Sequence, residues 1–175
     1  MKYIIVFLLR GKAKSKILRL RNKISNRFSV HEALKYPPHI TLKYPFETSD
    51  INEVMVFLQE FSNKCKKFEF KINDFSHFEK KCWFVKINDS GRIFKIRKSI
   101  VKGIKEVGGI SADKKDLNLP PHLTLAYKDI KNQFQAIGRF LRKESISEEV
   151  KFDNITILKH SNNKWKTYRL FQLSF

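Results

Sequence analysis

An octapeptide that occurs twice constrains this 175-residue chain more than any other feature. Pro37-Pro38-His39-Ile40-Thr41-Leu42-Lys43-Tyr44 returns as Pro120-Pro121-His122-Leu123-Thr124-Leu125-Ala126-Tyr127. Six of the eight positions are identical, and the two histidines stand 83 positions apart (122 − 39), close to half the chain. One copy per half points to a duplicated fold whose halves meet at a shared site.

Each copy reads as a strand. Pro-Pro disfavours helix at and before its first residue. The residues after the prolines alternate polar and apolar, the period of a strand. His39 and Thr41 then share one face, as do His122 and Thr124. Continued alternation puts Lys43 on the His39 face, puts Tyr44 and Tyr127 on the opposite one, and lets Pro45 end the first strand.

Two such strands side by side gather two imidazoles and two hydroxyls about one point. A neutral imidazole takes a proton while a protonated one gives a proton up. Both are expected to titrate near the ordinary value of about 6.5. The hydroxyls can donate to the non-bridging oxygens of a phosphate. The set suits phosphoryl transfer by acid–base chemistry. A lone His-x-Thr would say little, because strands carry such pairs for structural reasons; the duplication carries the argument. Neither copy has a Cys, Asp or Glu at ligand spacing, so no metal is expected there.

The paired motif resembles that of the 2H phosphoesterase superfamily, which includes 2′-5′ RNA ligase-like proteins and cyclic phosphodiesterases. That family's hallmark is two His-x-Thr/Ser-x motifs with x hydrophobic, matched here by His39-Ile40-Thr41-Leu42 and His122-Leu123-Thr124-Leu125. The resemblance implies a metal-independent phosphodiesterase without a cofactor. Its substrates would be nucleotide or RNA phosphodiesters involving a 2′ oxygen, opened at a 2′,3′-cyclic phosphate or cleaved at a 2′-5′ linkage. His39 and His122 would be the catalytic acid and base, in an order one sequence does not assign, and Thr41 and Thr124 would bind the phosphate. Degradation of cyclic nucleotide signals, RNA end joining and RNA binding without turnover are the competing readings. The implied fold is α+β and bilobed, with two mainly antiparallel sheets facing a central cleft and helices outside.

The rest of the chain fits a duplicated β-α-β-α-β order. Lys2–Leu9 is an apolar run that reads as a buried strand, and Ala13–Phe28 has Ile17, Leu20, Ile24 and Phe28 on one helical face with Lys and Arg on the other. After the first motif strand comes a helix to about Phe61, with Asp50 and Glu53 as a capping box, and then a strand over Lys67–Phe75. The second half offers a strand at Cys82–Asn88 and a helix capped by Ser90 and closed by Gly108-Gly109. The second motif comes next, then a helix over Ile130–Leu141 and a closing hairpin, Phe152–Lys159 with Trp165–Leu173. First strand to motif spans 36 positions in one half (Tyr3 to His39) and 39 in the other (Trp83 to His122). No linker intervenes, so residues 1–175 read as one bilobed domain with approximate repeats 1–80 and 81–175.

A net charge of +19 suggests an RNA or nucleotide partner drawn in by a positive cleft, or a solvated basic surface. Lys43, Phe7, Trp165 and Tyr168 are weaker candidates for substrate contact, Lys43 by its charge and the aromatics by stacking on a base. Cys65 and Cys82 form neither a disulfide framework nor a metal motif. Reduced thiols, no membrane span and no signal-peptide cleavage site lead to the expectation of a cytoplasmic monomer with no obligate protein partner.

Overall fold

The computed structural model describes residues 1–174. Its first strand, β1 (Lys2–Leu8), is buried along most of its length, as an unbroken run of Ile, Val and Phe requires. β2 (His39–Glu47), which carries the first motif, is its antiparallel edge neighbour. On the other side of β1 lies β7 (Asn154–Ser161), followed by β8 (Lys164–Gln172), giving the order β2-β1-β7-β8. The second sheet comprises β5 (Leu123–Tyr127), β4 (Cys82–Asn88), β3 (Phe68–Phe78) and β6 (Ser147–Phe152) in that order. In both sheets a motif strand is the edge, and the strand that opens its half lies next to it.

The halves also exchange strands. β3 pairs with β4 and β6 in the second sheet, while β7 and β8 return to the first. α1 (Gly11–Phe28) follows β1 and α3 (Arg92–Gly108) follows β4; α2 (Asn52–Lys64) follows β2 and α5 (Phe134–Leu141) follows β5. Short turns precede the motifs: a 3-10 turn at Glu32–Lys35, and α4 (Lys114–Asn118). One core runs beneath both sheets. Phe7 stacks on Phe152 at 4.8 Å and meets Phe70 edge-on at 5.9 Å, joining β1 to β6 and β3. Phe7 is therefore a core residue and not a substrate contact, because strand pairing turns it away from His39.

Several local expectations need correction. The helix after β4 starts from Asp89, whose carboxylate accepts from the Gly91 and Ile93 N–H groups at 3.2 and 2.6 Å, and not from Ser90. α2 begins at Asn52, and Asp50 serves only the Asn52 N–H, so no capping box forms. β6 is a strand that the sequence pattern does not announce; Val150 and Phe152 alternate there with charged residues that cover a sheet edge.

β2 runs through Pro45 because an edge strand tolerates a missing N–H. The ladder also bulges. Tyr3 pairs with Phe46 and Ile5 with Lys43, one residue too many on β2, and a second extra residue lies between Lys43 and Thr41. The freed Tyr44 N–H donates to Asp116 at 2.7 Å. The bulges invert the alternation, so Lys43 sits opposite Ile5 on the helix side while Thr41 and His39 stay opposite Val6 and Leu8. Lys43 is 1% exposed and ion-paired to Asp116 at 3.0 Å, so it lies off the His39 face.

Asp116 also accepts from the Asp113 N–H at 2.7 Å, capping α4. Asp116→Ala should cost about 3–5 kcal/mol, since it strands a buried ammonium. Asp116→Asn, which keeps an acceptor, should cost less. Urea unfolding of the three proteins checks this, and equal midpoints would refute it.

Candidate active site

The two motif strands face one another where the sheets meet, with β2 and β5 coming within 8 Å between Cα atoms. His39 opens β2, and His122 stands directly before β5. Each ring is fixed the same way. Nδ1 of His39 lies 2.8 Å from the Pro37 carbonyl, and Nδ1 of His122 lies 2.8 Å from the Pro120 carbonyl. A carbonyl only accepts, so Nδ1 carries a proton in both, and in the neutral ring it is Nε2 that holds the lone pair. The Pro-Pro turn thus selects the tautomer.

Two buried arginines hold the motifs against each other. Arg21 of α1 donates from Nε and Nη2 to the Thr124 carbonyl, at 2.9 and 2.7 Å, and from Nη1 to the carbonyls of Tyr36, at 2.9 Å, and Ala33, at 3.2 Å. Arg97 of α3 donates from Nε and Nη2 to the Thr41 carbonyl, at 3.1 and 2.7 Å, and from Nη1 to the Leu119 carbonyl. Tyr36 and Leu119 are the residues just before the two Pro-Pro pairs. Each arginine therefore ties the entry of its own half's motif to the threonine of the other. Both guanidinium groups are almost wholly out of water, 2% exposed for Arg21 and 0% for Arg97.

The electrostatics follow from this arrangement. Burial pushes the His39 pKa down to about 3; the Pro37 hydrogen bond opposes the shift, and the nearby positive charges of Arg21 and a protonated His122 reinforce it. Burial takes His122 down to about 4, opposed by Pro120 and reinforced by Arg97. Both shifts run downward from the ordinary value of about 6.5 that the sequence alone suggests. That His39 responds to the charge of His122 places the two imidazoles within electrostatic reach of each other.

The threonines stay on the histidine side of their strands. Thr124 pairs across β4 with Phe84, and its hydroxyl accepts from the Cys82 thiol at 3.9 Å, leaving its own proton for another acceptor. Burial raises the Cys82 pKa to about 11, so this thiol is not a nucleophile. Tyr127 also lies on the histidine side, opposite Cys82, because the ladder slips between Trp83 and Phe84. Tyr44 stands 5.9 Å from the Arg97 guanidinium. Simple alternation assigns both tyrosines to the other face, and the bulges put them here.

The remaining candidates fall outside. Trp165 is 7% exposed and stacks on Tyr36 at 5.3 Å, reaching the site only through that ring. Tyr168 fills a bulge in β8 and packs edge-on against Tyr3 at 5.6 Å, on the core side. Cavities of about 530 and 430 Å³ lie elsewhere, against Trp83 and α5 and against Pro45 and the loop before α4. Sequence reasoning missed Arg21, Arg97 and Tyr36. A signal existed for the arginines: Ile17-x3-Arg21-x2-Ile24 and Ile93-x3-Arg97-x2-Ile100 put a charge at the same place on two apolar stripes.

A family model described as the 2′-5′ RNA ligase superfamily matches residues 8–164. The chain belongs to that superfamily. A Bacillus licheniformis protein provisionally named a phosphoesterase is 28% identical over 178 residues, spanning 99% of each chain. A Bacillus mycoides protein with the same provisional name is 30% identical over 160 residues, 87% of each. Among solved structures, a Thermus thermophilus protein aligns with a TM-score of 0.70 at 13% identity, covering 99% of this chain and 98% of that one. Escherichia coli LigT with 3′-AMP aligns at 0.65 and 10% identity, with the same coverages. The MHV ns2 PDE domain aligns at 0.58 and 15%, covering 99% of each. At these identities the structures establish the shared fold. The superfamily and the named relatives together support a phosphoesterase-type hydrolase. No helix among the described residues is long and apolar enough to cross a membrane.

The depressed imidazole pKa values have a stability consequence. Below about pH 6.5 the unfolded chain binds protons that the folded site refuses until about pH 4 and 3. Stability should fall as pH drops across that window. His39→Gln/His122→Gln should show a shallower loss between about pH 7 and pH 4.5, read from urea midpoints.

Proposed function

We propose that this protein is a phosphodiesterase that uses two histidines to cleave nucleotide or RNA phosphodiesters involving a 2′ oxygen. The observation that carries this reading is the pseudo-twofold pair of His-x-Thr strands, each with Nδ1 tied to a Pro-Pro carbonyl, which leaves Nε2 as the ring nitrogen for proton transfer. The ligands printed for E. coli LigT, among them 3′-AMP, ATP and phosphate, fit a nucleotide substrate.

One Nε2 takes the proton of the nucleophile, water or a neighbouring hydroxyl, as its oxygen attacks phosphorus. The other imidazole, protonated, gives its proton to the leaving oxygen as the P–O bond breaks. Thr41 and Thr124 donate to the non-bridging oxygens and stabilise the charge that grows there. Burial disfavours the charged form of both rings, so the acid would gain its proton with the substrate. An anionic phosphate between the rings raises their pKa values and makes that proton favourable.

His39→Ala and His122→Ala should each lower turnover by about 10²- to 10⁴-fold. The double variant should be far less than multiplicatively worse. Excess chelator should leave the wild-type rate unchanged. Loss of activity with chelator, restored by one divalent ion, would sink the assignment. Binding of a 3′-nucleotide should take up a proton near neutral pH. Calorimetry in buffers of different ionisation enthalpy reads this directly, and affinity should fall as pH rises.

A further inference from the structure

The larger of the two cavities, about 530 Å³, lies on the helix side of the second sheet, behind the strand that borders the second motif. Trp83 lines it and packs against α5, whereas its neighbours in β4, Cys82 and Phe84, turn the other way toward Thr124 and His122. The sheet itself explains the opening. β6 pairs with β3 only as far as Asn73 and Ser147. β3 runs on to Phe78, so beyond Asn73 its outer edge has no strand beside it. The chain returns from α5 through residues 142–146 and joins the sheet only at Ser147, which leaves a notch. An edge of this kind presents unpaired main-chain N–H and C=O groups.

The walls of the notch are rigid and aromatic. Trp83 donates from Nε1 to the Phe134 carbonyl at 3.0 Å and stacks on the Phe134 ring at 4.9 Å and 24°. Gly138 lets α5 lie directly on the indole: a Cβ there would come within 2.6 Å of it. His77 stands edge-on to both rings, at 4.8 and 5.1 Å, with Nδ1 donating to the Glu79 carbonyl at 3.0 Å. Leu141 and Ile146 complete an apolar lining. A flat ring entering here meets a preformed surface, so little ordering of the protein opposes its binding.

The charged side chains at the cavity are Asp74, Arg142 and Glu144. Both carboxylates have cationic partners. Glu144 accepts from the Lys23 ammonium at 2.9 and 3.1 Å, and Asp74 pairs with Lys86 at 3.5 Å. Among the described residues no carboxylate pairs with the Arg142 guanidinium. The charge left over at the rim is therefore positive. We infer that this cavity is a binding site, separate from the histidines, for a small planar aromatic anion. The ring of the ligand lies against Trp83 and His77, and its carboxylate or phosphate meets Arg142 and the open edge of β3. The volume falls within the range of small-molecule sites, about 300–1,000 Å³, and an apolar lining with a few polar groups is their usual make-up. The inference does not depend on the two-histidine reading.

The test titrates p-nitrobenzoate, p-nitrobenzyl alcohol and p-nitrobenzylamine into the full chain by calorimetry. The anion should bind more tightly than the neutral and cationic compounds. Arg142→Gln, an exposed position, should weaken the anion about 10-fold, the worth of one hydrogen bond to a charged group, and leave the alcohol unchanged. Ser145→Phe, which puts a ring into the cavity, should abolish binding of all three while the urea midpoint shows the fold retained. In Trp165→Phe the only tryptophan left is Trp83, and the anion should quench its emission saturably. Excess 3′-AMP should not displace the anion. Equal affinity for the three compounds, or tighter binding of the amine, would overturn the assignment of an anion. Displacement by 3′-AMP, or binding that survives Ser145→Phe and leaves Trp83 emission unchanged, would put the ligand elsewhere and overturn the site. No heat and no quenching at millimolar concentration would overturn it as well. None of these outcomes bears on the phosphodiesterase reading, which stands or falls with the histidine variants.

Discussion

The crossed arginines are the interaction on which the rest of this site depends. Arg21 and Arg97 each bring a positive charge out of water without a carboxylate partner among their hydrogen bonds. Burying such a group is unfavourable unless its donors are met. Main-chain carbonyls meet them, and those carbonyls belong to the motifs and the turns that lead into them. A guanidinium can do this because its planar fork presents donors in fixed directions to two segments at once; an ammonium cannot. Losing either arginine would strand buried carbonyls at about 1–3 kcal/mol each and release one motif from the other. The same charges, held close to the imidazoles, add to the burial that disfavours their protonation. One contact therefore sets both the geometry of the histidine pair and its protonation.

The duplicated octapeptide makes the motif strands and the duplicated order legible, and with them His39, Thr41, His122 and Thr124 as neighbours. A short motif reports local conformation and its own repetition, and that is enough for these four. Arg21 is legible too, though a helix rich in Lys and Arg hides it among the residues of its polar face. It sits four residues after Ile17 and three before Ile24, on the buried stripe. Arg97 does the same after Ile93. A charge inside an apolar stripe marks a buried partner, and only the fold reveals that the partners are carbonyls in the opposite half.

Alternation fails wherever the ladder slips. Strand parity holds only while one residue faces one residue, and β2, β5 and β8 each run beside an irregular ladder. Counting two residues on from Thr41 places Lys43 with His39, and the bulge between Thr41 and Lys43 sends it into the core instead. Tyr44 and Tyr127 change sides for the same reason. Bulges depend on what the neighbouring strand and the loops beyond it offer, here Asp116 for the Tyr44 N–H. Asp116 is 72 residues away in sequence, so no local pattern could announce it.

The charge of the chain and the charge of the site pull in opposite directions. A net +19 attracts anions from a distance. At the site itself burial disfavours the charged imidazoles, and the nearby cations Arg21 and Arg97 have their donors committed to carbonyls. A phosphate arriving there meets positive potential without a ready ion-pair partner. In the proposed reaction it would be met instead by hydroxyls and by rings whose protonation it favours. Ground-state binding is then weaker than a lysine-lined site would give. On that proposal, the proton that arrives with the phosphate would be the one the leaving oxygen needs. Interactions that grow as the P–O bond breaks accelerate the reaction, whereas those already complete in the bound substrate do not. The burial of Lys43 in the core, away from the His39 face, is consistent with that logic: a fixed ammonium beside the phosphate would tighten binding while opposing the protonation on which the chemistry depends.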